Sequence, residues 1–141
     1  FRSHTQTKGL CVVKNVRLEW RENFNQEYIF ADREQLIRSF INILSNAVEH
    51  TPAGGIVSFD VQEKDNAILF SITDTGNGFS PEALKRATEQ FYMDDQSRNA
   101  KSHYGIGLYV ANSIITQHRG QLLLSNSEKG GGAQVTVRIP Y

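Results

Sequence analysis

Asp32-Arg33-Glu34-Gln35-Leu36-Ile37-Arg38-Ser39-Phe40-Ile41-Asn42-Ile43-Leu44-Ser45-Asn46-Ala47-Val48-Glu49-His50-Thr51-Pro52 is the stretch whose periodicity decides the fold. At about 100° per residue, Leu36, Phe40, Ile43, Leu44 and Ala47 gather on one face, which predicts an amphipathic helix from Asp32 to His50. Asn42, Asn46 and Glu49 gather on the opposite face. Asp32 stands where a carboxylate caps the free amides of a first turn, with Gln35 following as in a capping box. Pro52 ends the helix, because the residue before a proline is pushed out of the helical region.

Upstream, residues 1–9 are polar and aperiodic, a linker or a fragment edge. Leu10 to Trp20 alternates apolar and polar residues and reads as an extended, hairpin-like segment, and Tyr28 to Ala31 as a short strand. Downstream, two strands are expected at Gly55 to Glu63 and Ala67 to Thr73, joined by the turn-forming Lys64-Asp65-Asn66. Ser80-Pro81 starts a short helix, with a hydroxyl cap and proline at the first helical position. Glu89 to Tyr104 is a long polar loop, of the kind that carries function in a compact domain. Gly105 to Gln117 is helical and stops at Gly120; strands Gln121 to Asn126 and Gln134 to Ile139 flank a flexible Glu128 to Gly132. No internal repeat is visible. The order predicts an α+β fold, an α/β sandwich whose mixed, mostly antiparallel sheet is covered on one face by about three helices.

The chain has 141 residues, 39% hydrophobic and 21% charged, a balance that fits one globular domain rather than a disordered one. Fifteen Lys and Arg offset fifteen Asp and Glu, so no basic footprint points to nucleic acid. The lone Cys11 cannot close an internal disulfide. No apolar run approaches the roughly 20 residues that span a bilayer, and no secretory leader is evident, so a soluble chain is expected.

Three short patterns could carry chemistry, and each has a plainer reading beside the functional one. Asn42 and Asn46, four apart, are either a solvated polar stripe or a carboxamide face that offers an oxygen to Mg²⁺. Asp74-Thr75-Gly76-Asn77-Gly78-Phe79 is either a plain turn or the end of a buried strand. In the second case its carboxylate accepts from the exocyclic amine of adenine while the glycines let the backbone approach the ring. Gly105-Ile106-Gly107-Leu108 is either helix-start packing or a phosphate site made of free amides and the positive end of a helix dipole. No Gly-Lys dipeptide occurs, which excludes a Walker-type loop.

In order and spacing these patterns resemble the catalytic domain of sensor histidine kinases, of the Bergerat ATP-binding fold shared with gyrase, mismatch-repair ATPases and a heat-shock chaperone. The likeness runs from about Lys8 to Pro140. It implies that Asn46 holds Mg²⁺, that Asp74, Gly76, Gly78 and Phe79 hold adenine, and that Gly105, Ile106, Gly107 and Leu108 meet the phosphates. Phe91-Tyr92 resembles the family's F box, and Arg98, helped by Lys101, occupies the lid position that meets the γ-phosphate. The departures are as informative. Asn42 stands where hydrolytic relatives carry a Glu base, and Asn takes no proton, which favours phosphoryl transfer over rapid hydrolysis. Glu49 stands where Lys or Arg is frequent, and His103 where a lid glycine is frequent.

None of His4, His50, His103 and His118 is followed by the acidic residue that marks a phosphorylated histidine, so the acceptor is expected on a separate dimerisation and phosphotransfer domain. The resemblance thus implies Mg-ATP as cofactor, a response regulator as downstream partner and no nucleic acid. It also implies a homodimeric, membrane-anchored parent whose catalytic domain is cytoplasmic. A degenerate docking or sensing module and an anti-sigma-type serine kinase are the alternatives, the latter disfavoured because it requires Glu at position 42.

Overall fold

The computed structural model describes residues 32–86, 88, 107–128 and 130–140, together with the backbone of 17–23. Its strands are β1 (Arg17–Asn23), β2 (Ile56–Lys64), β3 (Ala67–Asp74), β4 (Gln121–Asn126) and β5 (Ala133–Pro140). Its helices are α1 (Arg33–Glu49), α2 (Pro81–Arg86) and α3 (Gly107–Gln117). The sheet runs in the order β1-β2-β3-β5-β4, parallel between β1 and β2 and antiparallel elsewhere. Among the described residues it is the expected mixed, mostly antiparallel sheet with three helices.

Period-two burial shows why the sheet takes one layer of helices. Val57, Phe59 and Val61 on β2, Phe70 and Ile72 on β3, and Val135, Val137 and Ile139 on β5 are buried, while their neighbours in sequence are half-buried or, at Gln62, exposed. Against that face pack Leu36, Phe40, Ile43, Leu44, Ala47 and Val48 of α1 and Leu108, Ala111, Ile114 and Ile115 of α3. Phe40 is the centre of the join: its ring lies 5.9 Å from that of Phe59 and 4.5 Å from that of Phe70, measured between centroids.

The ends of the elements follow local chemistry. Asp32 caps α1, its carboxylate accepting from the Gln35 amide at 3.1 Å. The reciprocal half of the capping box is made differently from expectation. The Asp32 amide donates to Nε2 of His118, 2.9 Å away at the end of α3, rather than to the Gln35 side chain. Ser80 caps α2 by accepting from the Ala83 amide at 3.0 Å, with Pro81 first in the helix, as expected. Asp65 and Asn66, at φ 53° and 58°, form the two-residue turn between β2 and β3, the paired positive angles that match strand twist.

One expectation needs correction. Arg17 to Trp20 belongs to one strand reaching Asn23, and its parallel pairing with β2 requires a crossover, which α1 supplies, instead of a hairpin. Residues 10–16 and the strand expected at Tyr28 to Ala31 lie outside the described residues. The helix α3 stops before Gly120, as expected, with Arg119 left-handed at φ 60°. The Gly120 amide then reaches the Ile115 carbonyl at 2.9 Å and the Arg119 amide the Thr116 carbonyl at 3.0 Å, a Schellman closure. Gly120 is required for a different reason: a Cβ there would come within 2.5 Å of the Arg138 carbonyl.

Candidate functional site

Asp74 ends β3 on the same alternation as Ile68, Phe70 and Ile72, so its carboxylate points to the helix-covered face at the end of an apolar row. It is 5% exposed. Oδ1 accepts from the Gly76 amide at 2.9 Å and from the Ala133 amide at 3.1 Å. Oδ2 makes no hydrogen bond among the described residues. Burial pushes the Asp74 carboxyl above its ordinary pKa, and the two amides and the Coulombic pull of His50 oppose that rise without cancelling it.

Three glycines frame this carboxylate because the backbone passes too close for a side chain. A Cβ on Gly76 would strike the His50 carbonyl, one on Gly78 the Gly131 carbonyl, and one on Gly132 the carbonyl of Asp74 itself. Gly78 also has φ 80°, which a side chain would strain. Gly76 and Gly78 were legible in the Asp-x-Gly-x-Gly pattern. Gly132 was not, because a run of three glycines reads as a flexible loop. It is in fact a buried contact, with the Ser127 amide held on the Gly132 carbonyl at 2.7 Å.

The helices bring the other candidates to the same end of the sheet. His118, at the end of α3, holds Asp32, at the start of α1, so the two helices run antiparallel. Eleven residues of α3 rise about 16 Å. That length carries Gly107, its first residue, alongside the Asn42 to Ala47 turns of the 17-residue α1. The far end of α1 abuts Gly76 through His50. The amide-rich start of α3, the asparagine stripe of α1 and Asp74 therefore converge.

Asn42 and Asn46 are half-buried, and neither carboxamide bonds to a described residue. The Asn46 carbonyl accepts from Nδ1 of His50 at 2.8 Å and from its amide at 3.2 Å, which locks the last turn. Thr51, fully buried, donates through Oγ1 to the Ala47 carbonyl at 2.6 Å. Ala47 and Leu108 belong to the buried core, and Phe79 packs partly buried against it. Phe91, Tyr92, Arg98, Lys101, His103, Gly105 and Ile106 lie outside the described residues, as does the whole of the Glu89 to Tyr104 loop. Among the described residues no group of three or more His, Cys, Asp and Glu side chains could hold a metal by itself.

The family model for histidine kinase-, DNA gyrase B- and HSP90-like ATPases matches residues 31–141. The chain is 44% identical over 127 residues to the sensor histidine kinase SpaK of Bacillus subtilis, covering 90% of this chain and 28% of that protein. It therefore spans well under a third of that curated relative. The structure is similar to the mycobacterial sensor histidine kinase MprB, with a TM-score of 0.86 at 22% identity, covering 99% of this chain and 91% of the other. It is also similar to full-length ShkA in complex with AMPPNP, with a TM-score of 0.77 at 25% identity, covering 98% of this chain and 29% of that one. The chain belongs to the histidine kinase-, DNA gyrase B- and HSP90-like ATPase family, as an ATP-binding catalytic domain of the bacterial sensor histidine kinase type.

Proposed function

We propose that the chain binds Mg-ATP with adenine on Asp74 and presents the γ-phosphate to a histidine on a separate dimerisation domain, from which it passes to a response-regulator aspartate. The observation that carries this reading is Asp74: a buried carboxylate with one oxygen committed to the backbone and the other uncommitted among the described residues. Oδ2 accepts the N6 proton of adenine. Guanine would bring an acceptor to the same point, leaving the carboxylate unmatched at a cost of roughly 1–3 kcal/mol. That corresponds to about fivefold to somewhat over a hundredfold in preference for ATP over GTP.

The triphosphate runs toward the start of α3, where free amides and the helix dipole favour an anion. Asn46 fits Mg²⁺ because its half-buried carboxamide is uncommitted among the described residues and magnesium takes most of its ligands from water and phosphate. When bound, the ion offsets phosphate charge. Asn42 takes no proton, so water is not activated there and the phosphate is held for transfer. Arg98 and Lys101 supply cationic contacts to the γ-phosphate, and Gly105, Ile106 and Leu108 complete the phosphate end. The parent is a homodimer anchored in the cell membrane with this domain on the cytoplasmic side; no helix among the described residues is long and apolar enough to cross a membrane.

Calorimetric titration with an ATP analogue, with and without Mg²⁺ and again with GTP, tests the reading. Adenine-selective binding strengthened by Mg²⁺ is expected. Equal binding of GTP removes Asp74 from its role, and no binding of either nucleotide leaves a docking module.

A further inference from the structure

Beyond Asp74 the chain must leave the centre of the sheet, and the route it takes is held by a side chain on another strand. The sheet order places β5 between β3 and β4. Yet Phe79, five positions past Asp74, is bonded to Asn126 at the end of β4. The Phe79 amide donates to Asn126 Oδ1 at 2.7 Å, and Asn126 Nδ2 donates to the Phe79 carbonyl at 3.0 Å. One carboxamide thus satisfies both backbone groups of Phe79, as a neighbouring strand would.

The other end of the segment is fixed on the opposite side. The Thr75 amide donates to the Ile56 carbonyl at 3.1 Å, and the Ile56 amide to Thr75 Oγ1 at 2.9 Å. The chain from Thr75 to Phe79 is therefore tied to β2 at one end and to β4 at the other, crossing the end of β5 with Asp74 beneath it. Between the ties, Gly78 lies against the Gly131 carbonyl, and a Cβ on it would also come within 2.8 Å of Asn126 Oδ1.

We infer that Asn126 is a positioning residue for the nucleotide base: through Phe79 it holds the Gly76 to Phe79 segment that walls the adenine acceptor. The inference rests on the reading of Asp74 as that acceptor. A purely structural role for Asn126 predicts lost stability alone, whereas a positioning role predicts weaker base binding in a folded domain. The chemistry of the two bonds gives a sharper signature. In Asn126→Asp the Phe79 amide keeps its acceptor, but a carboxylate oxygen faces the Phe79 carbonyl; protonation of the new carboxyl restores a donor there.

The experiment is calorimetry with an ATP analogue on the wild-type chain, Asn126→Ala and Asn126→Asp, at pH 8 and pH 4.5, each with and without Mg²⁺. The Ala variant should bind about tenfold more weakly, from the loss of two hydrogen bonds. Its strengthening by Mg²⁺ should equal that of the wild type. The Asp variant should show a similar deficit at pH 8 that narrows at pH 4.5, where an ordinary Asp carboxyl begins to take up its proton. Comparison with wild type at each pH removes the titration of Asp74 itself. Should the Ala variant fail to fold, the pH dependence of the Asp variant decides. Wild-type affinity in the Ala variant, a pH-independent deficit in the Asp variant, or a loss confined to the Mg²⁺-dependent part overturns the inference alone. A wild-type chain that binds no ATP overturns the underlying reading and this inference with it.

Discussion

The two halves of α1 obey different rules. From Arg33 to Phe40 the helix is amphipathic in the ordinary sense: Arg33, Glu34, Gln35 and Arg38 are exposed while Leu36, Ser39 and Phe40 are buried. From Ile41 to Glu49 no residue is exposed, yet Asn42, Ser45, Asn46 and Glu49 are polar. A helix that only had to cover a sheet would carry aliphatics or solvent-facing charges at those positions. Half-buried carboxamides that bond to no described residue add little to folding, and the function proposed above gives them a role in the bound state. On that reading the first half answers to packing and the second to the ligand.

Mutations should therefore separate the halves. Phe40→Ala removes the ring joining α1 to Phe59 and Phe70. It should cost about 3–5 kcal/mol in denaturant unfolding, with nucleotide affinity unchanged in the fraction that stays folded. Asn46→Ala should do the reverse. Chemical denaturation should find stability within about 0.5 kcal/mol of wild type, since alanine is a better helix former. The strengthening of ATP binding by Mg²⁺ should disappear in titration. The smallest effect belongs to the start of the helix: Asp32→Ala loses the cap and should lower stability by about 1 kcal/mol with ATP affinity intact. An Asn46→Ala chain that unfolds like Phe40→Ala would erase the distinction between the halves.

The first half, and most of the fold, was legible because its signals are local. The Asp32 cap, the apolar spacing from Leu36 to Ala47, the Ser80-Pro81 start and the strand from Gln121 to Asn126 each depend on neighbours within a few residues. What the sequence hid depends on partners far along the chain. The parallel pairing of β1 with β2, the capping of Asp32 by His118, and the contacts of Gly132 and Asn126 with the Asp74 segment are set by sheet order and register. The left-handed angle of Arg119 and the close approach of Gly120 to the Arg138 carbonyl are likewise set by the fold. For the candidate site, Asp74, Gly76, Gly78 and the two asparagines were named from pattern, whereas burial and the uncommitted Oδ2 could only come from the fold.

Asp74 also links the comparison to pH. Its carboxyl is raised in the folded state, so it binds a proton there more tightly than when unfolded. Its contribution to stability is full below the ordinary carboxylate pKa and is lost as pH rises through the elevated folded value. In the proposed function nucleotide binding needs the ionised form and runs the other way.

The most direct test is a paired measurement on Asp74→Asn at pH 7.5: thermal stability without nucleotide, and Kd for an ATP analogue. The carboxamide keeps an Oδ1 for the amides of Gly76 and Ala133 but removes the buried charge and turns a donor toward the adenine amine. The account predicts unchanged or higher stability together with at least about tenfold weaker binding. Retained affinity, or a loss of binding that merely follows a loss of folding, would contradict the claim that Asp74 is held buried for the base.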